Sequence, residues 1–210
     1  MTAEKQLSET DSLRIISQMI DQAKQENREN GKGWILWGWL LFLTSIFSFV
    51  NYKLDLFSQY IFWNGFGILA LVYFLFKALQ YFFFNSKEKV KSYTKDLLQK
   101  ANIGFFVSLT VITVGVNVKI DPVTGFTILI ILYGFWLLIY GAALNFKPFT
   151  IGAVLTWGLG LASLFVNTFD KVMLFHAAAV LCGYIIPGHM ANNEFRKARK
   201  GASINQDLSV

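Results

Sequence analysis

An all-α, polytopic transmembrane bundle is what this sequence predicts, on three observations. Of its 210 residues, 54% are hydrophobic and only 15% charged, where a soluble chain carries roughly 25% charged residues. Six apolar runs of near-membrane length follow one another. The remaining charges gather in the first 33 residues, one internal stretch and the tail, and mean hydropathy is +0.46. Long uncharged runs have no stable place in water, so a soluble enzyme, a secreted disulfide-stapled domain and a disordered chain are excluded. Barrel strands would alternate at period two over ~10 residues, and no segment does so.

The first element is a cytoplasmic segment, residues 1–33. Within 10–24, Leu13, Ile16, Ile20 and Ala23 recur at helical spacing, and Ser8 or Thr10 followed by acids offers an N-cap. The polar face of this helix mixes both signs of charge, unlike the lysine-rich face of a membrane-surface helix. It therefore suits packing on its own chain or docking a protein partner, with Leu13, Ile16 and Ile20 as the docking stripe. No signal-peptide pattern is found, because the first apolar run starts only at Trp34 after this long polar stretch.

A hydrocarbon core of ~30 Å takes about 20 helical residues to cross. Spans are expected at about 34–50, 57–84, 103–118, 123–144, 149–166 and 172–186, within a transmembrane domain of 34–190. Pro122, Pro148 and Pro187 all fall at span ends, where a missing N–H costs least. The stretch 86–101 carries Val90, Tyr93, Leu97 and Ala101 on one helical face and five lysines elsewhere, so it reads as a basic interfacial helix or a solvated linker. A basic, flexible tail, 191–210, closes the chain.

Six spans put both termini on one side. Fifteen of the nineteen lysines and arginines then lie on that side, against Lys53, Lys119 and Lys171 on the other and Lys77 within the second span. Positively charged loops stay inside, so both termini are expected in the cytoplasm, with the protein in the inner (plasma) membrane. The formal charge of +6 then favours anionic lipid headgroups by about 1 kcal/mol per basic residue near the surface. Nucleic acid is not an expected partner, since no nucleic-acid motif accompanies the charge.

Polar groups within hydrocarbon are functional candidates by default. Lys77 lies about two turns inside its span, where its stem reaches the headgroups by snorkelling. His176 begins the sixth span and His189 follows Pro187 at its inner end, ~20 Å apart along a helix, so the two cannot share a metal. No span holds an acid. Trp136 and Trp157 fall near mid-membrane on consecutive spans, where they would meet as packing or line a cavity. Glycines and alanines in the last three spans read as sites of close helix approach, with Cys182, the single cysteine, as a small packing residue. No catalytic set, metal site or cofactor site is expected.

The stretch SLRIISQMI at 12–20 leading to LWGWL at 36–40, and YGAALNFKP at 140–148 leading to GYIIPGH at 183–189, resembles a family of uncharacterised bacterial inner-membrane proteins of this size. The resemblance covers nearly the whole chain and implies a six-span bundle with cytoplasmic termini, without an activity. It adds Tyr184, Pro187 and His189 to the candidate positions.

The expectation for function is a non-enzymatic scaffold or regulatory subunit that holds a protein partner or a second copy of itself. A small-solute or lipid-handling transporter, with its cavity at Trp136 and Trp157, is the alternative. The N-terminal stripe separates two roles. If it completes the chain's own fold, Ile16→Asp lowers the melting temperature, because the buried side chain contributes roughly 1.5–3 kcal/mol; if it docks a partner, the melting temperature holds and the copurifying protein is lost.

Overall fold

The computed structural model describes residues 30–84 and 93–207, and among these the chain is helical with no strand. The helices are α1 (Lys32–Leu54), α2 (Ile61–Phe84), α3 (Tyr93–Val118), α4 (Pro122–Ala143), α5 (Lys147–Ser163) and α6 (Phe169–Val180). A π-helical turn, Leu181–Ile185, then joins α6 to α7 (Ile186–Asp207). Four helical stretches are long and apolar enough to cross a membrane: Lys32–Leu54, Asp96–Val118, Pro122–Ala143 and Phe169–Gly201. The protein is thus a membrane-embedded helical bundle.

The residues at each helix end explain where the helices stop. Asp55 takes a left-handed conformation at φ 50° and its N–H returns to the Asn51 carbonyl, closing α1. Asn51 then shapes the turn that follows: its Oδ1 accepts the Phe57 N–H at 2.9 Å, and its Nδ2 donates to the Phe57 and Ser58 carbonyls. Asp121 caps α4 by accepting the Thr124 N–H at 3.1 Å, ahead of Pro122. Pro122 and Pro148 stand in the first turns of α4 and α5, where no intrahelical donor is lost.

Neighbouring helices run antiparallel, and small residues set their registers. Gly141 meets Thr150, Gly134 lies under the Trp157 indole, and Ser163 reaches Thr127, which aligns α4 with α5. Gly125 meets Val116, and Phe105 stacks on Trp136, which aligns α3 with α4. On the other side Gly38 lies against Tyr184 and Ile185, and Gly188 against Trp34 and Ile35, so α1 runs back along the whole of α6 and the start of α7. Gly31 (φ 68°) brings the chain into α1 so close to the Gly188 carbonyl that no Cβ would fit. Small residues serve here because helices in lipid gain association energy from close contact rather than from apolar burial.

The core between α1, α4, α5 and α6 is side-chain packing around Ile130, Leu137, Phe149, Met173 and Val180, all fully buried. The outer faces are just as apolar: Leu71, Val72 and Phe76 on α2 and Val107, Val111 and Val114 on α3 are exposed. Such surfaces suit lipid, and in water they would aggregate.

Two boundaries differ from the sequence expectation. The basic stretch before the third apolar run is no separate interfacial helix from Tyr93 onward; it is the first two turns of α3, with Asp96 and Lys100 paired one turn apart at 2.7 Å. Nor does the helix of the sixth run stop at Pro187. The helix continues to Asp207, because the π turn shifts the hydrogen-bond register immediately before Pro187, relieving the ring's conflict with the carbonyl four residues back, at Gly183.

Gly134→Val is expected to destabilise the bundle by about 1–3 kcal/mol, since the indole of Trp157 has nowhere to go. Gly158→Ala, facing open space on the same helix pair, is expected to be neutral or stabilising by up to ~1 kcal/mol. Unfolding of both variants by denaturant in mixed micelles checks the contrast.

Candidate functional site

The most polar part of the membrane core lies where α1 faces α6. Ser45, Ser48 and Asn51 recur three residues apart along α1, so they line one helix face, and all three are buried. His176 and Asp170 face them from α6, also buried. At the end of this seam the Lys53 ammonium pairs with the Asp170 carboxylate at 2.6 Å, Lys53 remaining half exposed while Asp170 is enclosed.

His176 has no exposed surface at all. Its Nδ1 lies 2.8 Å from Ser45 Oγ, which is also 2.7 Å from the Leu41 carbonyl. Nδ1 faces α1, so the geometry of the imidazole turns Nε2 away from that helix. Trp63 of α2 and Phe126 and Tyr133 of α4 pack around the imidazole, with ring centroids 5.1, 6.0 and 5.4 Å from it and planes 90°, 88° and 68° to it. Nε2 has no conventional hydrogen-bond partner, and neither has Ser48 Oγ. Trp63 completes the enclosure by donating its Nε1–H to Met173 Sδ at 3.2 Å.

His176 is one member of an aromatic column through the bundle. From one end Trp34 contacts Tyr140, Phe149 and Tyr184; Tyr184 meets Tyr133, and Tyr133 meets His176. Beyond it Trp63 packs on Phe126, and Phe126 on Phe169, near the Lys53–Asp170 pair. Tilted and edge-to-face ring contacts of this kind contribute about 0.5–1.5 kcal/mol each beyond area burial.

The sequence candidates distribute around this column unevenly. Tyr184 and His176 are joined through Tyr133, and Trp136 is joined through Tyr140 to Trp34. Trp136 and Trp157 do not meet. Trp136 stacks on Phe105 of α3, whereas Trp157 lies across Gly134 and donates its Nε1–H to the Ile131 carbonyl at 3.0 Å, on the opposite side of α4. Pro187 is buried beside Gly152, and His189 is exposed on the outer surface of α7. Lys77 lies within α2, and Leu13, Ile16 and Ile20 lie outside the described residues. Among the described residues no group of three His, Cys, Asp or Glu side chains is placed to hold a metal.

Sequence reasoning does not single out Ser45, Ser48, Trp63, Tyr133 or Met173. The signal for the serines was their spacing with Asn51 along one face of an otherwise apolar helix. No family model, curated protein or solved structure matches the chain.

The seam generates a contrast between two serines. Ser45→Ala removes the partner of a buried imidazole nitrogen and is expected to cost about 1–3 kcal/mol. Ser48→Ala removes a buried hydroxyl that bonds to nothing, and is expected to leave stability unchanged or raised. Equilibrium unfolding in the same micelles measures both.

Proposed function

We propose that this chain is a six-span protein of the bacterial inner membrane with both termini in the cytoplasm, acting as a non-enzymatic scaffold or regulatory subunit. The observation that carries the reading is the helix Phe169–Gly201, 33 residues without a break. At 1.5 Å per residue it is ~50 Å long, against a hydrocarbon core of ~30 Å. Its last turns therefore stand clear of the bilayer as a rigid post, carrying Arg196, Lys197 and Arg199 exposed.

The charge at the two ends of the bundle supports the orientation. At the end holding the post, the described lysines and arginines, among them Lys32, Lys147, Arg196, Lys197 and Arg199, outnumber the acids Asp96, Glu194 and Asp207. At the other end Lys53, Lys119 and Lys171 are matched by Asp55, Asp121 and Asp170. A basic end facing the cytoplasm follows the positive-inside rule. The same end suits anionic headgroups close to the bilayer. Arg196 lies eight residues beyond Gly188, ~12 Å further along the helix, more than a Debye length at physiological salt. The tip of the post is thus better placed for an acidic face on a protein partner than for lipid. A small-solute transporter is the second reading, favoured by the buried polar seam between α1 and α6.

Two experiments test this. A cysteine at Lys119 or Lys171 in a Cys182→Ser background should react with an impermeant reagent from outside the cell, and one at Lys197 should not; the reverse pattern overturns the orientation. Photo-crosslinkers at Lys197 and Arg199 should capture one protein reproducibly, and Arg196→Glu with Arg199→Glu should abolish capture without lowering the melting temperature.

A further inference from the structure

Six aromatic side chains from four elements form a closed circuit in the half of the bundle nearer the post. Trp34 of α1 contacts Tyr140, Tyr140 contacts Trp136, and Trp136 stacks on Phe105 of α3. Phe105 then contacts Tyr133, Tyr133 contacts Tyr184 of the π turn, and Tyr184 returns to Trp34. Successive ring centroids are between 4.7 and 6.2 Å apart. Among the described residues no ring contact crosses the circuit from Trp34 to Phe105 or from Trp136 to Tyr184. Tyr133 and Tyr140 stand on its opposite sides, two turns or ~10 Å apart along α4. The six rings are therefore the walls of a box rather than a solid stack.

The polar atoms of these walls lack partners. Trp34, Trp136, Tyr133 and Tyr184 are each more than nine-tenths buried, and among the described residues no hydrogen bond engages any of their side chains. The unpartnered polar atoms that protein encloses completely are Ser48 Oγ and His176 Nε2, so the two indole N–H groups and two hydroxyls of the box look onto open space. Buried Trp N–H and Tyr O–H groups ordinarily find a partner, and leaving them unpaired in an apolar core is costly. An indole N–H only donates, and a phenol has a hydrogen to donate. The missing partner is an acceptor.

We infer that the box binds the head of an isoprenoid quinone, a flat ring whose two carbonyl oxygens accept hydrogen bonds from these donors. A ring at the middle of the box stands about 5 Å from each wall, within the 4.5–7 Å of favourable ring pairs. Aromatic boxes also attract organic cations through their ring faces, but the positive N–H and O–H edges left open here turn a cation away. Phe105 is a half-buried wall on a helix that packs on α4, so the apolar tail leaves past it into the bilayer. Tyr184 lies in the π turn, the kind of irregularity found at functional positions. The site goes beyond the scaffold reading and stands without it, since it concerns what the membrane core holds rather than what docks on the post.

The test uses the full chain in phosphatidylcholine nanodiscs with an azido derivative of decylubiquinone, photolysed and mapped by mass spectrometry. Labelling should saturate at residues of the circuit, and excess decylubiquinone should displace it. Trp136→Phe and Tyr184→Phe each keep a ring and remove one donor. Each should raise the half-saturating concentration about two- to tenfold, with near-UV circular dichroism confirming the fold. Trp39→Phe, exposed on α1, should change nothing. Non-saturating label spread over lipid-facing positions such as Val107 and Val111 overturns the site, as does binding indifferent to both circuit variants. Displacement by tetramethylammonium assigns the box to a cation and overturns the quinone. Label at the circuit in detergent that vanishes in the nanodiscs assigns the acceptors to phospholipid esters, and overturns it equally.

Discussion

The contact of α1 with α6 is the constraint on which the rest of the bundle depends. It is a long antiparallel seam, pinned at one end by Gly31 against Gly188, in the middle by Ser45 against His176, and at the other end by Lys53 against Asp170. Lipid gives helices no hydrophobic reason to associate, so steric fit and hydrogen bonds must supply the specificity. Each pin is of a different kind: a close backbone approach, a buried side-chain bond and an ion pair at the membrane boundary. Together they fix the register of α1, and the aromatic column from Trp34 to Phe169 depends on that register.

The π turn extends this dependence to the far side of the fold. It places Gly183 against Leu137 and Thr156, and Tyr184 against Trp34 and Tyr133, in the same turn of chain. A regular helix through 181–185 would rotate these side chains relative to α6, and one of the two contacts would be lost. The turn also lets a helix containing Pro187 pass uninterrupted into the basic post. The packing of the membrane core and the reach beyond the bilayer are therefore two results of one local irregularity, of a type that concentrates at functional positions.

Much of the fold was legible in the sequence because lipid makes simple demands. A run of apolar residues must be helical to satisfy its own backbone, and Pro122 and Pro148 mark helix starts because proline fits only there without loss. The small residues at Gly134, Gly141, Gly152 and Gly183 announced close helix contacts, which the structure contains. The site was less legible. His176 reads as a boundary residue from its place in the sequence, because burial depends on α1, α2 and α4 closing over it. Trp136 and Trp157 share a membrane depth, yet the helical twist of α4 sends their contacts to opposite sides, which depth alone does not reveal. Pro187 reads as a terminator because a π turn has no sequence signature of its own.

The central claim, that the Ser45–His176 bond pins α1 on α6, is tested most directly by a double-mutant cycle. Unfolding free energies of the parent, Ser45→Ala, His176→Ala and the double variant would be measured in one mixed-micelle system. A coupling energy of about 0.6–1.7 kcal/mol is expected, the range of interhelical hydrogen bonds within membranes. Additive effects, with no coupling between the two positions, would contradict the account.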